Sequence, residues 1–93
     1  MVKDILLLII MSNSPQFIEA ADAVKHLTKQ LDHDTLASLY GLYKQATVGD
    51  NTTSKPNFLD FKGNKKWDGW NQYKGYSKKK AEYEYVVLVN SLL

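Results

Sequence analysis

Tyr40, Tyr43 and Lys44 are the residues whose types and spacing best suit the holding of a ligand. Offsets of three and four set them along one side of a helix, where two rings and an ammonium meet. Such a set can stack a base, worth ~1–3 kcal/mol on aromatic platforms that take nucleic acid, and pair the lysine with a phosphate. The same spacing suits two core tyrosines with hydroxyls at the rim, and residue types alone leave both readings open. Bond-making chemistry has less to work with. His26 and His33 stand without a cysteine, a nucleophile elbow or paired carboxylates at a telling spacing. Asp22 and His26 are four apart, but two ligands do not make a metal site, and an ordinary surface pair accounts for them. The five glycines are too scattered for a phosphate-binding loop.

The elements that position these residues must come from one domain, because 93 residues leave no room for a second core. An apolar content of 44% suffices for that core. With no cysteine there is no disulfide framework and no thiolate, which fits a reducing compartment. The formal charge is only +2, yet between Ser54 and Lys80 eight lysines face just Asp60 and Asp68, and the remainder is net acidic. A basic face of this kind attracts an anionic ligand, the alternative being a solvated lysine-rich surface. Every basic residue is a lysine, so phosphate would be met by point charges rather than by an arginine fork.

Residues 1–11 read as an apolar N-terminal extension, with a run from Ile5 to Met11 too short to span a bilayer. Ser14-Pro15 predicts a helix start, and Phe17, Ala20, Ala21, Val24 and Leu27 recur at helical spacing after it. Asp32 or Asp34 caps a second helix with Leu36, Leu39, Tyr40, Tyr43 and Ala46 on its stripe, ending near Gly49. From Asp50 to Lys62 the composition predicts a long surface loop, pinned by Phe58, Leu59 and Phe61. A third helix from Asn64 to about Tyr73 carries Trp67 and Trp70 on one face, and Ser77 caps a fourth whose stripe is Ala81, Tyr85, Leu88, Val89 and Leu92.

Four runs in this frame carry a resemblance: Tyr43-Lys44-Gln45-Ala46-Thr47-Val48-Gly49-Asp50, Leu59-Asp60-Phe61-Lys62-Gly63, Lys66-Trp67-Asp68-Gly69-Trp70-Asn71 and Lys74-Gly75-Tyr76-Ser77. They closely resemble the signature of the acyl-CoA-binding protein family, ungapped from about Phe17 to Leu92. The resemblance implies an all-α fold, a four-helix up-down-down-up bundle, with residues 12–93 forming the acyl-CoA-binding domain. It implies a protein that binds medium- to long-chain fatty acyl-CoA esters with high affinity, as a cytoplasmic carrier and pool former. No catalysis, cofactor or metal would be involved. Lys25 matches a first-helix lysine reaching the nucleotide head group. Tyr40 matches a tyrosine on the nucleotide and its 3′-phosphate, Lys44 and Lys66 match lysines on that phosphate, Tyr43 is the second aromatic of the patch, and Tyr85 matches a fourth-helix tyrosine near the head group. For the acyl tail the candidates are Leu36, Leu39 and the stem of Lys65. The partners expected are long-chain acyl-CoA, no nucleic acid and at most a transient membrane surface, with the chain a monomer.

Two departures from the family pattern stand out. Gln30-Leu31 replaces a basic residue and a proline, and Gly69 replaces an alanine, which would weaken a helix there by up to ~1 kcal/mol. The rival readings are a nucleic-acid binder using the lysine-rich third helix and a helical protein-interaction module.

Overall fold

Each helix begins where a short side chain can accept from a backbone amide one turn ahead. In the computed structural model, which describes residues 13–93, Ser14 accepts from Phe17 N at the start of α1 (Pro15–Lys25), with Pro15 in the first turn where no donor is needed. Asp32 caps α2 (His33–Thr47) by accepting from Thr35 N. Asp60 caps α3 (Phe61–Asn71) through Gly63 N, and Ser77 caps α4 (Lys78–Leu92) through Lys80 N. The expected extension over residues 1–11 lies outside the described residues, and no strand occurs among those described.

Contacts between helices give their directions. Along α2 and α3 the partners rise together, Asp34 with Lys65 and Lys44 with Trp70, so these helices run parallel. Ser14 and Phe17 of the α1 end meet Glu82 and Tyr85 of α4 in the same order, another parallel pair. Between α2 and α4 the order reverses, Gln45 lying beside Tyr76 while Ser38 shares a groove with Ser91. The bundle is therefore up-down-down-up, as the resemblance implied. Phe17, Ala20, Leu39, Leu42, Ala46, Ala81, Tyr85 and Val89 form its core.

The α2–α3 contact is unusually close. A Cβ built on Gly41 would stand 1.9 Å from the carbonyl oxygen of Gly69, and one on Gly69 would stand 2.4 Å from that of Ala37. Gly69 is thus more than a weak point in a helix; its missing side chain lets two backbones touch.

Two expectations about the loop are corrected. The third helix begins at Phe61, not Asn64, because Asp60 supplies the cap, and it ends at Asn71. Phe58, Leu59 and Phe61 do not pin the loop; they are 79%, 68% and 79% exposed. Polar ties hold it instead. The indole N–H groups of Trp67 and Trp70 donate to the carbonyls of Thr53 and Gly49, at 3.0 and 2.8 Å. Asp50 accepts from the Gly75 backbone N–H and the Gln45 amide, both at 2.8 Å.

Those donors, Gly75 first and Gln45 second, hold the Asp50 carboxyl below its ordinary value of 3.8. A carboxyl lowered in the folded state contributes stability that is complete above 3.8 and drains away as pH falls below it through the folded-state value. Asp50→Asn is expected to flatten this acid limb, seen in thermal melts taken from pH about 5 to about 2. Parallel acid limbs for the two proteins would count against the tie.

Candidate functional site

On α2, Tyr40 and Lys44 sit one turn apart; on α3, Lys66 and Trp70 do the same. Because the helices are parallel and in contact at Gly41 and Gly69, the two pairs face each other and cross. The Lys44 ammonium lies 4.9 Å from the centroid of the Trp70 ring, and the Lys66 ammonium lies 5.7 Å from that of Tyr40. Two cations from separate helices thus reach over one seam, each resting on an aromatic face, a contact worth about 0.5–1 kcal/mol where exposed. The nearby carboxylates are engaged with other lysines, Asp34 with Lys65 at 3.0 Å and Asp68 with Lys55 at 3.2 Å.

Tyr43 turns toward α1. Its ring stacks on Phe17 with centroids 5.6 Å apart at 22°, and lies 6.0 Å from Tyr85. With Ile18, Asp22, Lys25 and Thr47 it lines a groove of about 480 Å³ between α1 and α2. Of the six residues singled out, Tyr40, Lys44 and Lys66 meet at the seam, while Lys25 and Tyr43 meet in this groove. The two regions adjoin along α2, since Tyr43 is the sequence neighbour of Lys44. A cationic seam beside an apolar groove can hold a phosphate at one point and an aromatic ring or alkyl chain at another.

Tyr85 belongs to neither region. It is only 3% exposed, its ring 5.0 Å from Phe17, so it backs the Tyr43 ring from within the core. Burial first, and the phenol of Tyr43 second, push its own phenol up to about 12 from an ordinary 10. Folding stability from this proton is complete below pH 10 and lost as pH rises through about 12. We expect an ultraviolet tyrosinate titration to show one phenol ionising late, and the late step to vanish in Tyr85→Phe; a late step that survives would assign it elsewhere.

Among the tail candidates, Leu39 is enclosed in the core and Lys65 is paired with Asp34, which leaves Leu36, 49% exposed, with apolar surface to offer. The site residues that sequence reasoning left out are Trp70 as the rest for Lys44, and Ile18 and Thr47 in the groove. The offset from Lys66 to Trp70 was a readable signal; the crossing to α2 was not. Elsewhere, His26 and Asp22 form an exposed pair at 3.8 Å, and no group of three potential metal ligands exists among the described residues. No described helix is long and apolar enough to cross a membrane.

Fold and site together define a small all-α bundle of the ligand-binding kind. The family described as Acyl CoA binding protein matches residues 14–89. The Acyl-CoA-binding protein homolog of Drosophila melanogaster is 50% identical over 80 residues, covering 86% of this chain and 93% of that one. Acyl-CoA-binding protein homolog 1 of Caenorhabditis elegans is 48% identical, covering 83% of this chain and 90% of its own. Among solved structures, the crystal structure of Oryza sativa Acyl-CoA-Binding Protein 2 superposes with a TM-score of 0.79 at 40% identity, covering 83% of this chain and 86% of that one. The solution structure of the yeast Acyl Coenzyme A Binding Protein gives 0.67 at 47% identity, covering 85% and 92%. The chain belongs to the acyl-CoA-binding protein family.

Proposed function

We propose that this protein binds medium- to long-chain fatty acyl-CoA esters with high affinity and carries them, as a monomer in the cytoplasm, without acting on them chemically. The observation that carries the reading is the crossing of Lys44 and Lys66 over the rings of Trp70 and Tyr40, in a chain of this family. The 3′-phosphate of coenzyme A is a compact dianion, and two ammonium groups arriving from separate helices give it charge-assisted hydrogen bonds. Adenine stacks on Tyr40 or Tyr43, and Lys25 closes on the head group from α1. Tyr85 acts through Tyr43, whose ring it supports. The acyl chain takes apolar cover beginning at Leu36, each buried methylene contributing ~0.8 kcal/mol. Lacking cysteine, and with its histidines at exposed positions, the chain has little with which to make or break the thioester.

One calorimetric experiment tests this reading against its rivals. Palmitoyl-CoA is expected to bind tightly, free coenzyme A more weakly by several methylenes' worth of apolar contact, and a short oligonucleotide not at all. Equal affinity for palmitoyl-CoA and free coenzyme A would remove the tail from the account. Tight, steeply salt-dependent oligonucleotide binding would favour the nucleic-acid reading.

A further inference from the structure

Seven consecutive apolar residues, Ile5 to Met11, precede the described chain and lie outside residues 14–89, the stretch that the family matches. Such a run stays in water only at a cost, so it needs apolar cover. Its point of departure is fixed. The Asn13 side chain donates to the Glu82 carboxylate of α4 and, at 3.3 Å, to the carbonyl of Ala46 on α2. The Ser14 backbone N–H donates to the same carboxylate at 3.1 Å. Glu82 is itself buried, so the chain is anchored against α4 just before α1 begins.

Beside that anchor a groove opens between α1 and α4. Its upper part, of about 460 Å³, is bounded by Ser14, Gln16, Tyr83 and Val86. The lower part, of about 250 Å³, shares Gln16 and Val86 and continues past Ala20 and Ala23 to Leu93. Tyr83 and Leu93 are 68% and 67% exposed, and large apolar side chains left bare along one channel mark a place where something binds. Length names the occupant. From Lys79 to Leu93 the helix spans ~21 Å at about 1.5 Å per residue, and seven residues of extended chain span ~23 Å. We propose that the groove between α1 and α4 is the seat of this chain's own residues 5–11, which enter it at Ser14 and run toward Leu93. The small side chains of Ala20 and Ala23 leave room there for isoleucine and leucine. The other groove within reach of Asn13, between α1 and α2, has less to offer, because Tyr43 is already packed against Phe17 and Tyr85 and is only 42% exposed. So seated, the run straps α1 to α4 and leaves the Lys44–Lys66 seam and the Tyr43 groove open. The seat does not rest on the carrier reading, since its main readouts need no ligand.

The test uses the full chain throughout. Nuclear Overhauser spectra are expected to place methyl groups of residues 5–10 against the Tyr83 ring and the methyls of Ala23 and Val86. Leu7→Asp/Leu8→Asp, which puts a charge on each face of an extended run, is expected to erase those contacts, to lower the melting temperature by about 5 °C and to leave the palmitoyl-CoA titration unchanged. Tyr83→Glu should lower the melting temperature by a similar amount. Combining the two changes should cost little more than either alone, because each removes the same contact. Contacts from the run to Ile18 and Tyr43, with palmitoyl-CoA bound more tightly by Leu7→Asp/Leu8→Asp, would overturn the proposal by seating the run in the α1–α2 groove. Contacts found only between copies in a mixed-label sample, with a solution mass above the monomer, would give the seat to a second chain and overturn it as well. So would an absence of contacts, or melting losses that simply add.

Discussion

Lys44→Ala is expected to weaken palmitoyl-CoA binding by roughly 2–3 kcal/mol, a loss of about thirty- to a hundred-and-fifty-fold, with Lys66→Ala close behind. The magnitude follows from what is left when one ammonium goes. A phosphate dianion drawn out of water onto the seam would keep half of its cationic shell, and a charged group that loses a hydrogen-bonding partner forfeits more than a neutral one. Both lysines approach the same seam, from α2 and from α3, so their effects should be coupled. The double variant is expected to lose less than the sum of the single losses, because a ligand robbed of one anchor shifts off the other. Isothermal titration of the four proteins closes the cycle. Lys→Arg at either position should recover only part of the affinity, since a planar fork does not fill the place of a compact ammonium. Titration curves for Lys44→Ala that overlie those of wild type would remove the phosphate from this seam.

The second large effect concerns stability. Gly41→Ala places a methyl group 1.9 Å from the Gly69 oxygen and 2.4 Å from its carbonyl carbon, both main-chain atoms of a helix. No side chain can swing aside, so α2 and α3 must part. Alanine favours the helix by ~1 kcal/mol over glycine, but overpacking of a tight contact costs about 1–3 kcal/mol and more where backbone meets backbone, so the clash wins. We expect a net loss of about 2 kcal/mol, which lowers the melting temperature of a domain this size by on the order of 10 °C. Separating the helices also uncrosses Lys44 and Lys66, so ligand affinity should fall with stability. A variant that melts at or above the wild-type temperature would show that the two helices slide apart at no cost.

Much of this arrangement was legible from local chemistry. Ser14, the aspartates at 32 and 34, and Ser77 announced three helix starts, because a cap is decided within four residues of chain, and the structure picks Asp32 of the two aspartates. The fourth start was missed for a physical reason: Phe58, Leu59 and Phe61 were read as buried pins since apolar side chains usually seek the interior, and the cap at Asp60 in their midst was passed over. The lysines and tyrosines of the candidate site were singled out by type and by family resemblance. Their crossing was not, because it depends on how far α3 slides along α2, a register fixed by two glycines meeting at long range. Tyr85 shows a third case. Its stripe on α4 marked it for the core and the resemblance marked it for the site, and the structure gives it the interior position.

The lysine–ring contacts at the seam imply a condition on what can be recognised there. The Tyr40 ring already has a neighbour over it, the Lys66 ammonium. In the proposed binding mode, an incoming purine that slides over this ring evicts the ammonium at the moment a phosphate arrives to receive it. A bare phosphate must lift the lysine off the ring and leave the aromatic face wet, while a bare nucleoside must expel the lysine with nowhere to send it. Each half of the nucleotide thus lowers the cost of admitting the other, and fragments should bind with less than their share of the whole ligand's free energy.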